Sequence, residues 1–321
     1  MVVFVVGSGC MNNINIVPNP TDLILSKFSS LTNQGFDLGE LTSSELDFAN
    51  FYKRGRPRKM GLSLFMEALG LKAKYTCETW KGVHRLMVDI GGLMNKNEGE
   101  NKDFQKWNIP SYANFLKGLK TLTLFIVHNI SLLLAINQIE FFKRKDRIAL
   151  VDSSSLPACK VIRSSRHKTM KDFAEYSKST MGWYYGFKLH LVCDYTAGQR
   201  PLFIQFSNAK LDDRQVLATV MRSSIFRNSG TMFVADKGYL AKWLEDLAYE
   251  TGNYLLTGKK TTKNMKVLAS QFDIYLLHNR AKIETLFSRL KLNYFMSSTR
   301  SRSVLGYIFN YLNSIFTLLK A

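Results

Sequence analysis

The sequence predicts an α/β protein, with a helical N-terminal region followed by a domain built on a mixed sheet. Three observations predict it. From Met60 to about Lys145 the apolar residues recur mostly at helical spacing. From Arg147 the texture changes to five short runs with strand character, RIALVDSSSL, GWYYGFKLHLVCD, RPLFIQFSN, TMFVADKGY and GNYLLTGKK. Helical segments lie between the third and fourth runs and after the fourth, and strands alternating with helices in this way build a mixed α/β sheet.

Taken in order, residues 1–50 are polar, rich in Asn and Ser, and weakly patterned. Within them Leu41 to Tyr52 reads as a helix, with Ser43 or Ser44 as cap and Glu45 and Asp47 near its start. KRGRPRK, Lys53 to Lys59, sets five basic residues around Gly55 and Pro57 and cannot be a helix interior. LSLFMEALGLKA, YTCETWKGVHRLMVDIGGL and PSYANFLKGLKTLTLFIVHNISLLLAI then predict three or more helices, with Met94 to Gln105 as a solvated loop. In the second half, LDDRQVLATVMRSSIF and LAKWLEDLAYE are helical, Asp212 and Asp213 cap the first of them, and the chain from about Asn279 to Lys320 reads as helical throughout. The expected layout is an extension over 1–50, a helical region over 51–146 and an α/β domain over 147–321.

Of the 321 residues 46% are hydrophobic, so a sizeable core is available and global disorder is excluded. There are 44 Lys and Arg against 25 Asp and Glu, a net charge of +19. Residues 1–150 contribute 19 basic and 13 acidic side chains, and the second half 25 and 12. An excess spread over both halves predicts a broad positive surface, with nucleic acid as the first candidate partner and a membrane surface as the second. Cys10, Cys77, Cys159 and Cys193 form no C-x-x-C pair, which argues against zinc or a disulfide framework and for a reducing cytoplasm. The apolar start MVVFVVGSGC lacks a charged n-region and is too short for a signal peptide. Leu122 to Ile136 is the best membrane candidate, but it carries His128, Asn129 and Ser131 and falls short of the roughly 20 apolar residues of a span. It is expected to be a buried helix.

Two carboxylates stand out. Ile148 to Val151 ends on Asp152, and Met232 to Ala235 ends on Asp236, followed at once by Lys237, Gly238 and Tyr239. Either alone is an ordinary turn or helix cap. Two at neighbouring strand ends would meet at one sheet edge, where they repel unless a cation sits between them. In HNRAKIETLFSRLK, Arg280, Glu284, Phe287 and Lys291 fall on one helical face, which by spacing alone is a surface Arg–Glu pair.

LVDSSSLPACK, YYGFKLHLVCD, FVADKGY and NRAKIETLFSRLK together resemble the Asp-Asp-Glu transposases of bacterial insertion sequences, most closely the insertion-sequence 982 family. The resemblance runs from about Arg147 to Lys291 and matches the family's triad at Asp152, Asp236 and Glu284. Arg280 and Lys291 match its arginine four before and its lysine seven after the glutamate, while Leu277 stands where related groups often have tyrosine. The resemblance implies an RNase H-like (retroviral integrase-type) core with the first Asp on strand one and the second on strand four. The five runs above place Asp152 and Asp236 so.

It further implies magnesium, or manganese in its place, held by the three carboxylates, with two ions about 3.5–4 Å apart for in-line phosphoryl displacement. The implied partners are double-stranded DNA, as transposon ends and target, and further copies of the chain assembled on it. No membrane is implied, and a bacterial, nucleoid-associated location in the cytoplasm is. Gly238 is expected to let the backbone turn away, and Lys237, Arg280 and Lys291 to contact DNA, although local pairing with the carboxylates would also explain them. Arg54, Arg56 and Arg58 resemble a minor-groove arm, and a solvated linker fits the same residues. Lys188 and His190 share one strand face; DNA contact is one reading of them, and a half-buried strand explains the alternation by itself. Trp183, Tyr184 and Tyr185 are expected in the core. Two rivals remain at this stage: a related nuclease that hydrolyses without joining, and an inactive DNA-binding relic.

Overall fold

The computed structural model describes residues 36–37, 62–75, 77–97, 109–196, 199–258, 270–297 and 301–320. The chain divides into two compact units, one of Met1–Thr21, Leu41–Ile130 and Arg289–Ala321, the other of Asp22–Glu40 and Ser131–Ser288.

In the first unit, α1 (Leu62–Lys74), α2 (Trp80–Asn97), α3 (Tyr112–Thr121) and the start of α4 (Thr123–Phe142) occupy the stretch expected to be helical. Helix α2 runs through Met94–Asn97, four residues into the expected loop. At the other end of the chain the expected continuous helix is broken. A π-helical turn, Arg289–Asn293, gives way to a reversal at Phe295, whose φ of 55° no helix accommodates. The last helix follows only at Val304–Lys320. Its side chains satisfy the reversal: Ser314 donates to the Tyr294 carbonyl at 2.9 Å and Asn310 to that of Phe295 at 3.2 Å. The Lys72 amine completes the seal, buried over the Trp80 and Phe295 rings at 5.5 and 5.2 Å, and burial pushes it down to about 8. The expected helix at Leu41–Tyr52 and the KRGRPRK stretch lie outside the described residues.

The second unit is a mixed sheet flanked by helices. Its strands are β1 (Phe36–Asp37), β2 (Ile148–Cys159), β3 (Glu175–Ser179), β4 (Gly182–Asp194), β5 (Pro201–Asn208), β6 (Met232–Ala235) and β7 (Tyr254–Thr257). The order is β1-β5-β4-β2-β6-β7, with β3 beside β4. Pairing is antiparallel from β1 to β2 and parallel from β2 through β6 to β7. Helices α5 (Asp213–Arg222) and α6 (Lys242–Glu250) return the chain between the parallel strands, burying Val216, Leu217, Met221, Leu244 and Ala248 in one core with Val151, Val192 and Phe233. Asp212 caps α5, accepting from the Arg214 backbone N–H at 3.0 Å.

Two strands escape the sequence. β1 is only two residues long, and EYSKS in β3 alternates between half-buried and exposed with no apolar face to betray it. Counting them, Asp152 lies on the second strand and Asp236 follows the sixth, not the first and fourth. Helix α4, expected to be buried over residues 122–136, is buried there on one side only, through Ile126, Ile130 and Leu134; past it Asn137 and Gln138 donate to the Pro201 and Leu202 carbonyls at 2.9 and 2.7 Å, and Phe141 enters the core. This helix is long and apolar enough to cross a bilayer, and Leu132, Ile136 and Ile139 on its other side are about half exposed.

At Gly186, β4 is wedged between β2 and β3, opposite Pro157 and Glu175. A Cβ there would come within 2.1 Å of the Leu156 carbonyl oxygen, which is backbone and cannot swing aside. Gly186→Ala is therefore expected to cost about 2–3 kcal/mol, read as a lower urea midpoint.

Candidate active site

The parallel register of β2 and β6 decides where the two aspartates go. Leu150 pairs with Val234, and each aspartate comes two residues later in the chain. Asp152, within β2, and Asp236, just past the end of β6, thus come to the same edge of the sheet from neighbouring strands. β2 continues along β4 after Asp152, whereas β6 stops and the chain folds into a 3₁₀ turn, Lys237–Tyr239. The Tyr239 N–H closes that turn on the Asp236 carbonyl at 2.9 Å, and its ring drops into the core. Gly238 has no left-handed backbone and open space where a Cβ would stand, so the turn does not depend on it, contrary to expectation.

The third carboxylate arrives from the helical segment. What reads as one helix is two, α7 (Gln271–Asn279) and α8 (Lys282–Ser288), joined through Arg280 and Ala281. Arg280 still faces Glu284 four residues on, with 3.5 Å between guanidinium and carboxylate. The same guanidinium stands 3.3 Å from Asp152 and 3.8 Å from Asp236. One half-buried cation therefore touches all three acidic groups singled out in the sequence.

Asp152 is the most enclosed of the three, its side chain 21% exposed against 56% and 61% for Asp236 and Glu284. Burial pushes its carboxyl from the ordinary 3.8 up to about 6, and the nearby charges of Asp236 and Asp213 push the same way. The Ser153 backbone N–H, at 2.8 Å, and Arg280 pull it back only in part. Between about pH 4 and pH 6 the folded chain thus holds a proton that the unfolded chain has lost, so stability falls as pH rises through that window. With chelator present, Asp152→Asn is expected to flatten that fall and to be about 2 kcal/mol more stable than wild type above pH 7. Urea unfolding on both sides of the window checks it.

A polar network missed in the sequence lies beside Asp152. Ser153 donates to Asp213 at 2.8 Å, and the Lys188 amine donates to the same carboxylate at 2.9 Å and to the Leu211 carbonyl at 2.9 Å. His190 is buried 3.9 Å from Asp213 and 2.8 Å from the Ser207 hydroxyl, and burial lowers it to about 4, so it is neutral at pH 7. Burial likewise pushes the Tyr239 phenol well up. Asp213 caps no helix; it is the first residue inside α5 and turns to Lys188. The signal was the alternation of Lys188 and His190 along β4, which strand geometry alone explains.

The remaining candidates do not all converge. Lys237 follows Asp236, exposed, with its stem against Gly258. Lys291 belongs to the other unit, in the π-helical turn, and burial lowers its amine. Arg54, Arg56 and Arg58 lie outside the described residues. The donor set of Asp152, Asp236 and Glu284 is all carboxylate oxygen, the kind that hard divalent cations take. Among the described residues no three His, Cys, Asp or Glu side chains stand close enough together to hold one ion, and the Arg280 guanidinium supplies the countercharge.

Residues 142–304 match the transposase DDE domain family, about half of the chain. The chain belongs to that family. It is therefore a transposase-type enzyme that acts on DNA. No curated protein and no solved structure matches it. The transposase DDE domain takes in β2 through α8, and Asp152, Asp236, Arg280 and Glu284 all fall within it.

Proposed function

We propose that the protein is an insertion-sequence transposase, of the insertion-sequence 982 group, that cleaves the ends of its element and joins them to target DNA. The observation that carries this reading is the single guanidinium of Arg280 drawing Asp152, Asp236 and Glu284 together from three separate elements. The antiparallel strands β2, β4 and β5 extended by the parallel β6 and β7, with Asp152 on β2 and Asp236 just past β6, support an RNase H-like catalytic core.

Asp152, Asp236 and Glu284 would hold magnesium, or manganese in its place. Bound there, the ions would activate water or a DNA 3′-hydroxyl and stabilise the leaving oxygen. The chain's own part is positional. Asp152 is fixed within a continuous strand and by the Ser153 N–H, and Asp236 is fixed by the 3₁₀ turn that starts beside it. Glu284, on the first turn of α8, is the most exposed of the three and the freest to adjust. Arg280, relieved of its carboxylates when the cation binds, is left to meet the phosphate, with Lys237 beside it; Lys291, and Arg54, Arg56 and Arg58, would take DNA backbone. Copies of the chain would assemble on paired ends, in the cytoplasm.

The test is end cleavage and strand transfer on DNA carrying the element's own termini, with Mg²⁺ and with EDTA. Cleavage and joining that need the metal support the reading. Hydrolysis without joining makes the protein a nuclease, and binding without cleavage makes it a DNA-binding relic.

A further inference from the structure

The sheet carries a projection that the carboxylate site does not use. β3 and β4 form a hairpin whose tip turns at Gly182, with φ of 112°. Ser179 locks the turn, accepting from the Met181 N–H at 3.2 Å and donating to the Gly182 carbonyl at 3.1 Å. At this tip Met181 is 98% exposed and Trp183 63%. Large apolar side chains set in water at the end of a braced turn mark a contact surface.

The face behind the tip is built, not frayed. Lys178 stands opposite Trp183, and Tyr176 opposite Tyr185, so all four share one side of the hairpin. The two tyrosine rings lie 4.9 Å apart. A 3₁₀ helix, Val161–Arg166, is seated on them: the Ser164 hydroxyl bonds that of Tyr176, and His167 meets the Tyr185 ring edge-on at 6.5 Å. From this seat Arg163 and Arg166 are exposed, as are Lys160, Lys168, Lys171 and Lys178. Among the described residues none of these six is paired with a carboxylate, while Glu175, one of the two nearby acids, is taken by Lys210 at 3.6 Å.

We propose that this hairpin and its 3₁₀ helix form a second DNA-contact surface, with Arg163, Arg166 and Lys178 on phosphates and Met181 and Trp183 pressed into a base step. The proposal rests on the reading of the protein as one that acts on DNA. Cations matched to a polyanion supply the affinity, and an apolar wedge flanked by them is the device by which proteins unstack and kink a duplex. The strand register also sets a distance. Gly182 precedes Leu191, the partner of Asp152, by nine residues along β4. At about 3.3 Å per residue that is roughly 30 Å. With the cleaved phosphate at the carboxylates, the hairpin meets the duplex nearly one helical turn away.

The test uses the full chain and a duplex carrying the element's own terminus, with 2-aminopurine placed at successive positions from the cleavage site. Two variants are compared with wild type: Met181→Ser with Trp183→Ala, and Arg163→Gln, Arg166→Gln and Lys178→Gln together. All five side chains are exposed, so unchanged melting temperatures are expected. The wild type should brighten 2-aminopurine roughly one turn from the cut, and the apolar variant should lose that signal. The cation variant should bind more weakly, with a salt slope reduced by about three. Unchanged affinity, slope and fluorescence in both variants, with the wild type cleaving normally, overturns the hairpin proposal alone. A change in oligomeric state with DNA binding intact also overturns it and makes the surface a contact between copies. If the wild type distorts DNA through the hairpin but never cuts, the hairpin stands and the catalytic reading falls.

Discussion

Asp236→Asn is expected to slow end cleavage at least about a thousandfold, roughly 4 kcal/mol of transition-state stabilisation, while leaving fold and DNA affinity intact. The separation follows from where Asp236 sits. Its side chain is more than half exposed, and among the described residues its ionic contact is the long 3.8 Å approach of Arg280. Exposed pairs of that kind contribute about 0–1 kcal/mol, so the melting temperature should barely move. Its chemical role is different, because an amide in its place removes one charge from the three that would hold the cation. Single-turnover cleavage on pre-bound ends, with thermal unfolding alongside, reads both quantities. A variant that cuts within tenfold of wild type removes Asp236 from the catalytic set.

Arg280→Met is expected to destabilise the fold as much as any change at the site. In chelator it should cost about 2–3 kcal/mol at neutral pH, less than a fully buried pair because two of its three partners are exposed. The loss centres on Asp152, which is already pushed up to about 6 and would be left beside Asp236 and Asp213 with no countercharge. Magnesium should then restore the variant more than it stabilises wild type, since no guanidinium has to be displaced. Urea unfolding of both proteins with EDTA and with Mg²⁺ measures the difference. Equal stabilisation of the two would show that Arg280 does not stand where a cation goes.

The three acidic residues were legible because two of them end apolar runs and the third sits at helical spacing from an arginine. The register that brings Asp152 and Asp236 together was not, since no local pattern reveals which strands pair in parallel. Trp183 illustrates a second limit. GWYYGFK reads as one apolar run, and Tyr184 and Tyr185 are buried as expected, yet Trp183 lies past the last β2 partner of β4 and faces water. Lys188 and His190 show a third limit. Alternation fits a half-buried strand, as expected, but it does not show that β4, flanked by β2 and β5 and covered on both sides, draws them into the Asp213 network. The break at Arg280 was hidden because Arg280 and Glu284 keep their helical relation across it.

Equilibrium binding of Mn²⁺, followed by electron paramagnetic resonance, decides whether the carboxylates sharing Arg280 are a cation site. Wild type should take up the ion with an affinity that drops at least about tenfold in Asp152→Asn, Asp236→Asn and Glu284→Gln alike, and that rises in Arg280→Met. Mn²⁺ binding that is the same in wild type and in all three carboxylate variants would show that these carboxylates hold no cation.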